Sequence, residues 1–316
     1  MERTIESRSN SPDDTLGPET ARVLFVGLGT MGLPMATNLV RAGFDVAGFD
    51  AIRRNVDAFV GAGGRGSDDA RLAAAGCDVL VTMLPDDRIV SDVLSGPNGL
   101  IGCLRPGAVV IEMSTTGPRT KKALLHEAAA RGIGFLECPV GKTVEHAVAG
   151  TLSLMAGGDA RLVERARPIL GAMGSEVHVC GDVGAASAMK LINNALVACI
   201  NAASIEALIA GSKAGLSVET MMGVLKTTMA WNNALANALP RKALKRDFKP
   251  GFMTRLAHKD VALALDMAHE LDAPMHQGEA ALALLDQALD DGYAADDTPG
   301  SMLRACEARA GVHLVP

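Results

Sequence analysis

The sequence predicts an α/β chain: a doubly wound, largely parallel sheet followed by an all-helical region that one long helix leads in. Two observations carry this. Short, continuous apolar runs alternate with helical stretches through roughly the first 183 residues, the pattern of strands buried on both faces. After Gly184 the rhythm changes, and Ser187 to Ala214 keeps a helical apolar period with no Pro, and no Gly before Gly211.

Taken in order, Arg22–Val26 is a short apolar strand that runs straight into glycines, and Met31–Ala42 is a helix ended by Gly43. Phe44–Phe49 is a second strand and ends in Asp50. Asp78–Leu84 is a third, followed by Pro85 and a helical stretch around Ile89–Leu94. Ala108–Met113 is a strand that stops at Ser114-Thr115. The helix Arg119–Arg131 leads to a strand at Gly134–Glu137, and later strands are expected at Leu152–Ala156 and Glu176–Val179. Beyond the long helix the pattern gives helices at Ser217–Thr228, Asn232–Leu239, Thr254–Leu271, Gly278–Asp290 and Asp297–Ala308. The expected organisation is a polar, disordered tail at residues 1–20, an α/β domain at 21–183 and a helical domain at 184–316.

Composition narrows the partners. Apolar residues at 48% and charged residues at 21% describe a folded globular chain. The formal charge of −6 is spread without basic blocks, and aromatics make up only 3%, which argues against nucleic acid and anionic membranes. The six cysteines lie far apart, no pair has metal-ligand spacing, and they read as reduced thiols of a cytoplasmic protein. Met1–Thr20 lacks the apolar core of a signal peptide, and no apolar run reaches the roughly 18 residues that a membrane helix requires. The hydrophobic helical half predicts a homodimer or homotetramer.

Between the first strand and first helix stands Gly27-Leu28-Gly29-Thr30-Met31-Gly32. A strand, G-x-G-x-x-G and a helix together form the Rossmann-type phosphate turn, with the helix N-terminus offering free N–H groups to a pyrophosphate. Asp50 ends the second strand at the separation expected of a ribose-binding carboxylate, which favours NAD over NADP. Arg53 and Arg54 follow closely and keep a 2′-phosphate clamp, and hence NADP, open.

The segment from Gly27 to Leu39 resembles the opening signature of the β-hydroxyacid dehydrogenases, the 3-hydroxyisobutyrate dehydrogenase-related family. Further motifs follow in family order. Met83-Leu84-Pro85 looks like the cofactor-flanking turn, and Ser114-Thr115 like the strand-end pair beside the nicotinamide, with Ser114 also facing substrate. Pro139-Val140 with Gly150-Thr151-Leu152 is similar to the substrate segment, Lys190-Leu191-Ile192-Asn193-Asn194 to the catalytic helix, and Lys259-Asp260 to the late cofactor motif. The resemblance implies a dehydrogenase whose active site lies where the two domains meet.

Lys190 and Asn194, four apart on a helix, project from one face. A lysine in a water-poor site beside a cationic nicotinamide can carry the proton that accompanies hydride transfer, with Asn194 holding the reacting oxygen or the ammonium. Where the family usually has Ser-Gly-Gly, this chain has Gly141-Lys142-Thr143; with Asn193 these are the expected grip on the substrate's anion. A Gly-basic-Thr arrangement looks like the sulfolactaldehyde-reducing subgroup, which has Arg in place of this Lys. The anion stays open between sulfonate and carboxylate, leaving 3-hydroxyisobutyrate, tartronate or succinic semialdehyde and glyoxylate as alternative substrates. A non-enzymatic NAD-binding sensor is the rival outside catalysis. Trp231 reads either as pocket lining or as core, and His258 as a packed or solvated side chain.

Overall fold

The computed structural model describes residues 15–314, which divide into two compact units, one up to Met189 and one from Lys190. In the first, strands and helices alternate: β1 (Arg22–Val26), α1 (Gly32–Arg41), β2 (Asp45–Phe49), α2 (Arg53–Gly61), β3 (Arg65–Gly66), α3 (Ala70–Gly76), β4 (Val79–Thr82), α4 (Asp87–Leu94), β5 (Val109–Glu112), α5 (Pro118–Ala129) and β6 (Gly134–Glu137). These strands pair in parallel in the order β3-β2-β1-β4-β5-β6, so the topological switch lies between β1 and β4. This is the Rossmann-type sheet that the alternation predicts.

Alternation of side chains assigns the two faces. Phe25, Val81, Ile111 and Leu136 join one core with Met35, Leu39 and Phe59, while Leu24, Leu80, Val110 and Phe135 join the other with Leu94 and Leu124. Each strand is therefore apolar at consecutive positions. The last part of the sheet departs from parallel order. β7 (Val140–Gly141) and β6 pair antiparallel with β8 (Leu152–Gly157), and β9 (Gly174–Gly181) pairs parallel with β8. Helices α6 (Val144–Ala149) and α7 (Ala160–Met173) connect these strands.

The expected disordered tail is corrected at its end. Leu16 is buried in the sheet core, its N–H donates to the Arg165 carbonyl at 2.9 Å, and residues 18–20 form a turn. The buried Leu16 and this bond tie the stretch to the sheet unit, and Thr20 Oγ1, donating to the Thr15 carbonyl at 2.8 Å, closes the turn. Residues 1–14, the rest of that expectation, lie outside the described residues.

α8 (Ala185–Lys213) runs for 29 residues from the first unit into the second. Among the described residues it is the one helix long and apolar enough to cross a membrane, with mean hydropathy 1.6. The expectation that no stretch reaches that length is corrected here. Alanines raise the average across the polar positions Lys190, Asn193, Asn194, Asn201 and Ser204, and Asn201 and Ser204 are buried in protein.

In the second unit Ile205, Leu208 and Ile209 of α8 pack with α9 (Val218–Leu225), α10 (Leu239–Arg241), α11 (Thr254–Glu270), α12 (His276–Asp290) and α13 (Thr298–Ala310) around Leu239, Val261, Leu285 and Met302. The expected helix at Asn232–Leu239 is instead a π-turn at Ala234–Ala238 running into α10. Pro240 explains the change: it has no N–H to return to the Ala236 carbonyl, so α-type bonding breaks there.

Candidate active site

The phosphate turn is built by contacts that only glycine permits. Gly27 has φ +95°, and a Cβ there would lie 2.2 Å from the Met83 carbonyl oxygen. A Cβ on Gly32 would lie 1.8 Å from the Gly27 oxygen, so turn and helix close on each other. Gly29 differs, because a Cβ there would meet nothing within 4 Å. Its backbone faces open space, as a site for close approach of a phosphate requires. Thr30 beside it is exposed, and α1 starts after Met31 with no side-chain cap, although the Leu33 N–H already donates to the Gly29 carbonyl at 3.0 Å.

Asp50 is held against this turn. Its Oδ2 accepts from the Leu28 N–H at 2.7 Å and its Oδ1 from the Ile52 N–H at 2.8 Å. Each oxygen keeps a second lone pair for a sugar hydroxyl. Arg53, the candidate phosphate clamp, instead bonds Asp57 at 2.8 Å and Asp68 at 2.5 Å. These residues fit a dinucleotide: an open glycine cradle, an uncapped helix start and an oriented carboxylate.

Behind the cradle the strand ends are tied together. Pro85 is exposed, and the N–H of Leu84 donates to Ser114 Oγ at 2.7 Å. Ser114 N–H donates to Glu112 Oε1 at 2.9 Å, Thr82 Oγ1 reaches the same oxygen at 3.3 Å, and Lys121 Nζ donates to the Ser114 carbonyl at 3.0 Å. Lys121 and Glu112 form an ion pair with neither side chain exposed. Ser114 is fully buried, and by accepting the Leu84 N–H it braces the Met83-Leu84-Pro85 turn. Thr115, next to it, is half-buried.

Gly141 lies in β7, and Lys142 follows in the left-handed region at φ +74°. Its ammonium is 3.0 Å from the Thr151 carbonyl and 3.4 Å from Glu176 Oε1. Bonding to Lys142 is the main reason that the Glu176 carboxyl sits below its usual pKa. The expected anion grip is thus engaged within the protein, by a partner 34 residues away. Thr143 is exposed and its Oγ1 is 2.9 Å from His146 Nδ1.

The second unit begins at Lys190, the residue that the sequence offers as proton carrier. Lys190 is half-buried, and desolvation, the largest effect, pushes its pKa below the usual lysine value. The Asp260 carboxylate opposes that shift and the Lys259 ammonium adds to it. Asn193 Nδ2 donates to Asn194 Oδ1 at 3.0 Å, and Asn194 Nδ2 donates to Asp260 Oδ2 at 2.5 Å. Lys259 Nζ pairs with the other Asp260 oxygen at 2.8 Å. Asp260, almost fully buried, is thus the organising group, whereas the sequence offers it only as the second residue of the Lys259-Asp260 cofactor motif. A carboxylate on α11 that faces a polar i, i+4 pair on α8 left no local signal except the Lys-Asp dipeptide. His258 bonds Asp286 at 2.7 Å, and Trp231 is half-buried against the helical core.

Two family models match in succession. Residues 22–181 match the NAD-binding domain of 6-phosphogluconate dehydrogenase, and residues 184–305 match the NAD-binding domain of NADP-dependent 3-hydroxyisobutyrate dehydrogenase. The chain belongs to the 3-hydroxyisobutyrate dehydrogenase-related family. The 3-sulfolactaldehyde reductase of Escherichia coli is 39% identical over 88% of this chain and 93% of that protein. The 2-(hydroxymethyl)glutarate dehydrogenase of Eubacterium barkeri is 32% identical over 94% of this chain and 98% of its own length. The solved 3-hydroxyisobutyrate dehydrogenase of Mycobacterium tuberculosis aligns with TM-score 0.82 and 32% identity, covering 89% of this chain and 98% of its own. This member of the family is an NAD(P)-dependent hydroxy acid dehydrogenase acting on CH–OH groups.

Proposed function

We propose that the enzyme interconverts a short anionic hydroxy acid, carboxylate or sulfonate, and its aldehyde with NAD(H), using Lys190 as the general acid and base. The observation that carries this reading is the desolvated Lys190 on the same helix as Asn194, whose amide is fixed by the buried Asp260. When bound, the nicotinamide supplies or accepts the hydride. Lys190 gives a proton to the carbonyl oxygen during reduction and takes one from the hydroxyl during oxidation. Its lowered pKa brings the neutral form, needed as base, nearer to working pH. Asp260 keeps Asn194 and Lys259 in fixed directions and stabilises the ammonium when Lys190 is charged.

Asp50 supports NAD as the preferred cofactor, since its carboxylate meets ribose hydroxyls and repels a 2′-phosphate, while Arg53 is engaged by two aspartates. Lys142 and Thr143 are the candidate contacts for the substrate's anion, which would displace the Glu176 carboxylate from Lys142. The identity to the sulfolactaldehyde reductase supports a sulfonate, and the 32% identity to 2-(hydroxymethyl)glutarate dehydrogenase keeps carboxylates in the same class. The test is NADH and NADPH oxidation with sulfolactaldehyde, tartronate semialdehyde and succinic semialdehyde, together with NAD and NADP reduction with 3-hydroxyisobutyrate. Turnover of at least one with NAD(H) preferred is expected. No turnover with intact NADH binding would favour a sensor and overturn the proposal.

A further inference from the structure

Glu137, the last residue of β6, is fully buried, yet Lys190 and Asp260 account for the site without it. Its carboxylate is spent on the first turn of α8. Oε1 accepts from the N–H of Gly184 at 2.7 Å and of Ala186 at 2.8 Å, and Oε2 accepts from Ser187 Oγ at 2.5 Å. The first turn of α8 contains no acidic residue of its own, and a carboxylate from the sheet is bonded at its positive end. Room for it is provided across the strand pair, where Glu137 opposes Gly157. A Cβ on Gly157 would stand 2.5 Å from Glu137 Oε1 and 2.9 Å from its Cγ.

Glu137 is also the register partner of Glu112 on the neighbouring parallel strand. Two adjacent strands thus end in buried carboxylates with separate tasks. Glu112 braces the turns that flank the cofactor cradle, and Glu137 fixes the start of α8. Lys190 follows Ser187 by three residues on that continuous helix, less than one turn away. Whatever sets the rotation of the first turn sets the direction in which Lys190 leaves the helix.

We propose that Glu137 is a positioning residue for proton transfer, aligning Lys190 by clamping the first turn of α8 to the end of β6. The proposal rests on Lys190 being the proton carrier. Three bonds to one carboxylate define the helix start in both tilt and rotation, which a single cap would not do. Since misplacement of a reacting group by about 1 Å can cost on the order of 100-fold in rate, the clamp is expected to act on turnover far more than on cofactor affinity.

The experiment compares Glu137→Gln, Gly157→Ala and Ser187→Ala with the parent enzyme, measuring kcat, substrate KM, NADH affinity by fluorescence titration and Tm. Glu137→Gln retains an acceptor but loses the charge, whereas Gly157→Ala displaces the carboxylate without touching α8. Both are expected to lower kcat about 10- to 100-fold with NADH affinity within about twofold. Ser187→Ala, which removes one of the three bonds, should give a smaller loss in the same direction and decides the matter where either of the others fails to fold. Unchanged kcat in the folded variants overturns the proposal, and so does NADH affinity lost in parallel with kcat, which would mean a purely structural role. Lys190→Met, assayed alongside, separates the two ideas. If it keeps turnover, the lysine mechanism fails; if it is inactive while the Glu137 variants are normal, the clamp alone fails.

Discussion

Replacing Lys121 by Met isolates the worth of the ion pair behind the cofactor cradle. Lys121 and Glu112 are both fully buried, and the Lys121 ammonium also donates to the Ser114 carbonyl at 3.0 Å. The substitution leaves the Glu112 carboxylate in the protein with the Ser114 N–H and Thr82 hydroxyl as neutral donors. Removing one partner of a buried pair costs about 3–5 kcal/mol. For a unit of this size, about 2–4 °C of Tm accompanies each kcal/mol, so the transition of the first unit should fall by about 6–20 °C. Ser114 holds Leu84, hence NADH affinity should weaken in the folded fraction as well. The double variant Glu112→Gln, Lys121→Met no longer buries a lone charge and should recover more than half of the lost stability. Thermal unfolding followed by circular dichroism, with NADH titration, measures both effects. A fall of less than about 2 °C in Lys121→Met, or a double variant no more stable than the single, would refute this account of the strand-end brace.

The glycines of the turn should separate by role. Gly27→Ala, which drives Cβ against the Met83 carbonyl, should destabilise by about 3 kcal/mol, while Gly29→Ala should leave Tm nearly unchanged and weaken NADH binding. At the anion loop, Lys142→Ala should raise KM for the anionic substrate about tenfold and Glu176→Gln should lower it, with NADH affinity constant. Equal effects on cofactor would show that the anion binds elsewhere. Lys190 also leaves a pH signature in stability. Its folded pKa is depressed, so between the folded and unfolded values the unfolded chain holds more protons and stability rises with pH. Lys190→Met should therefore be more stable than the parent near neutral pH, by a margin that shrinks as pH climbs towards the ordinary lysine value. Chemical denaturation from pH 7 to 10 tests it, and a margin that grows with pH contradicts the sign.

The fold and the cofactor turn were legible because their signals are local. Gly27, Gly29 and Gly32 fall between an apolar strand and a helix, and Asp50 closes the next strand. Lys190 and Asn194 could be placed on one helix face by spacing alone. What the sequence hid are charges whose partners lie on other elements: Glu112 with Lys121 on the next helix, Asn194 with Asp260 at 66 residues, and Glu137 with the start of α8 at 47 to 50. Each reads in isolation as an ordinary polar residue, and only tertiary packing removes it from water. The brace that Ser114 gives to Leu84 was hidden for the same reason, since the two lie 30 residues apart. Lys142 lost its freedom to Glu176, on a strand contributed 34 residues later. The antiparallel β7–β8 pairing escaped notice because β7 is only two residues long, too short to show a period.

The most direct test of the account is Lys190→Met assayed in both directions with a competent substrate, with NADH binding measured on the same preparation. Loss of the proton carrier predicts kcat lower by on the order of 10²- to 10⁴-fold, with NADH affinity within about twofold of the parent. Turnover near the parent rate, with the cofactor still bound, would contradict the assignment of the proton to Lys190.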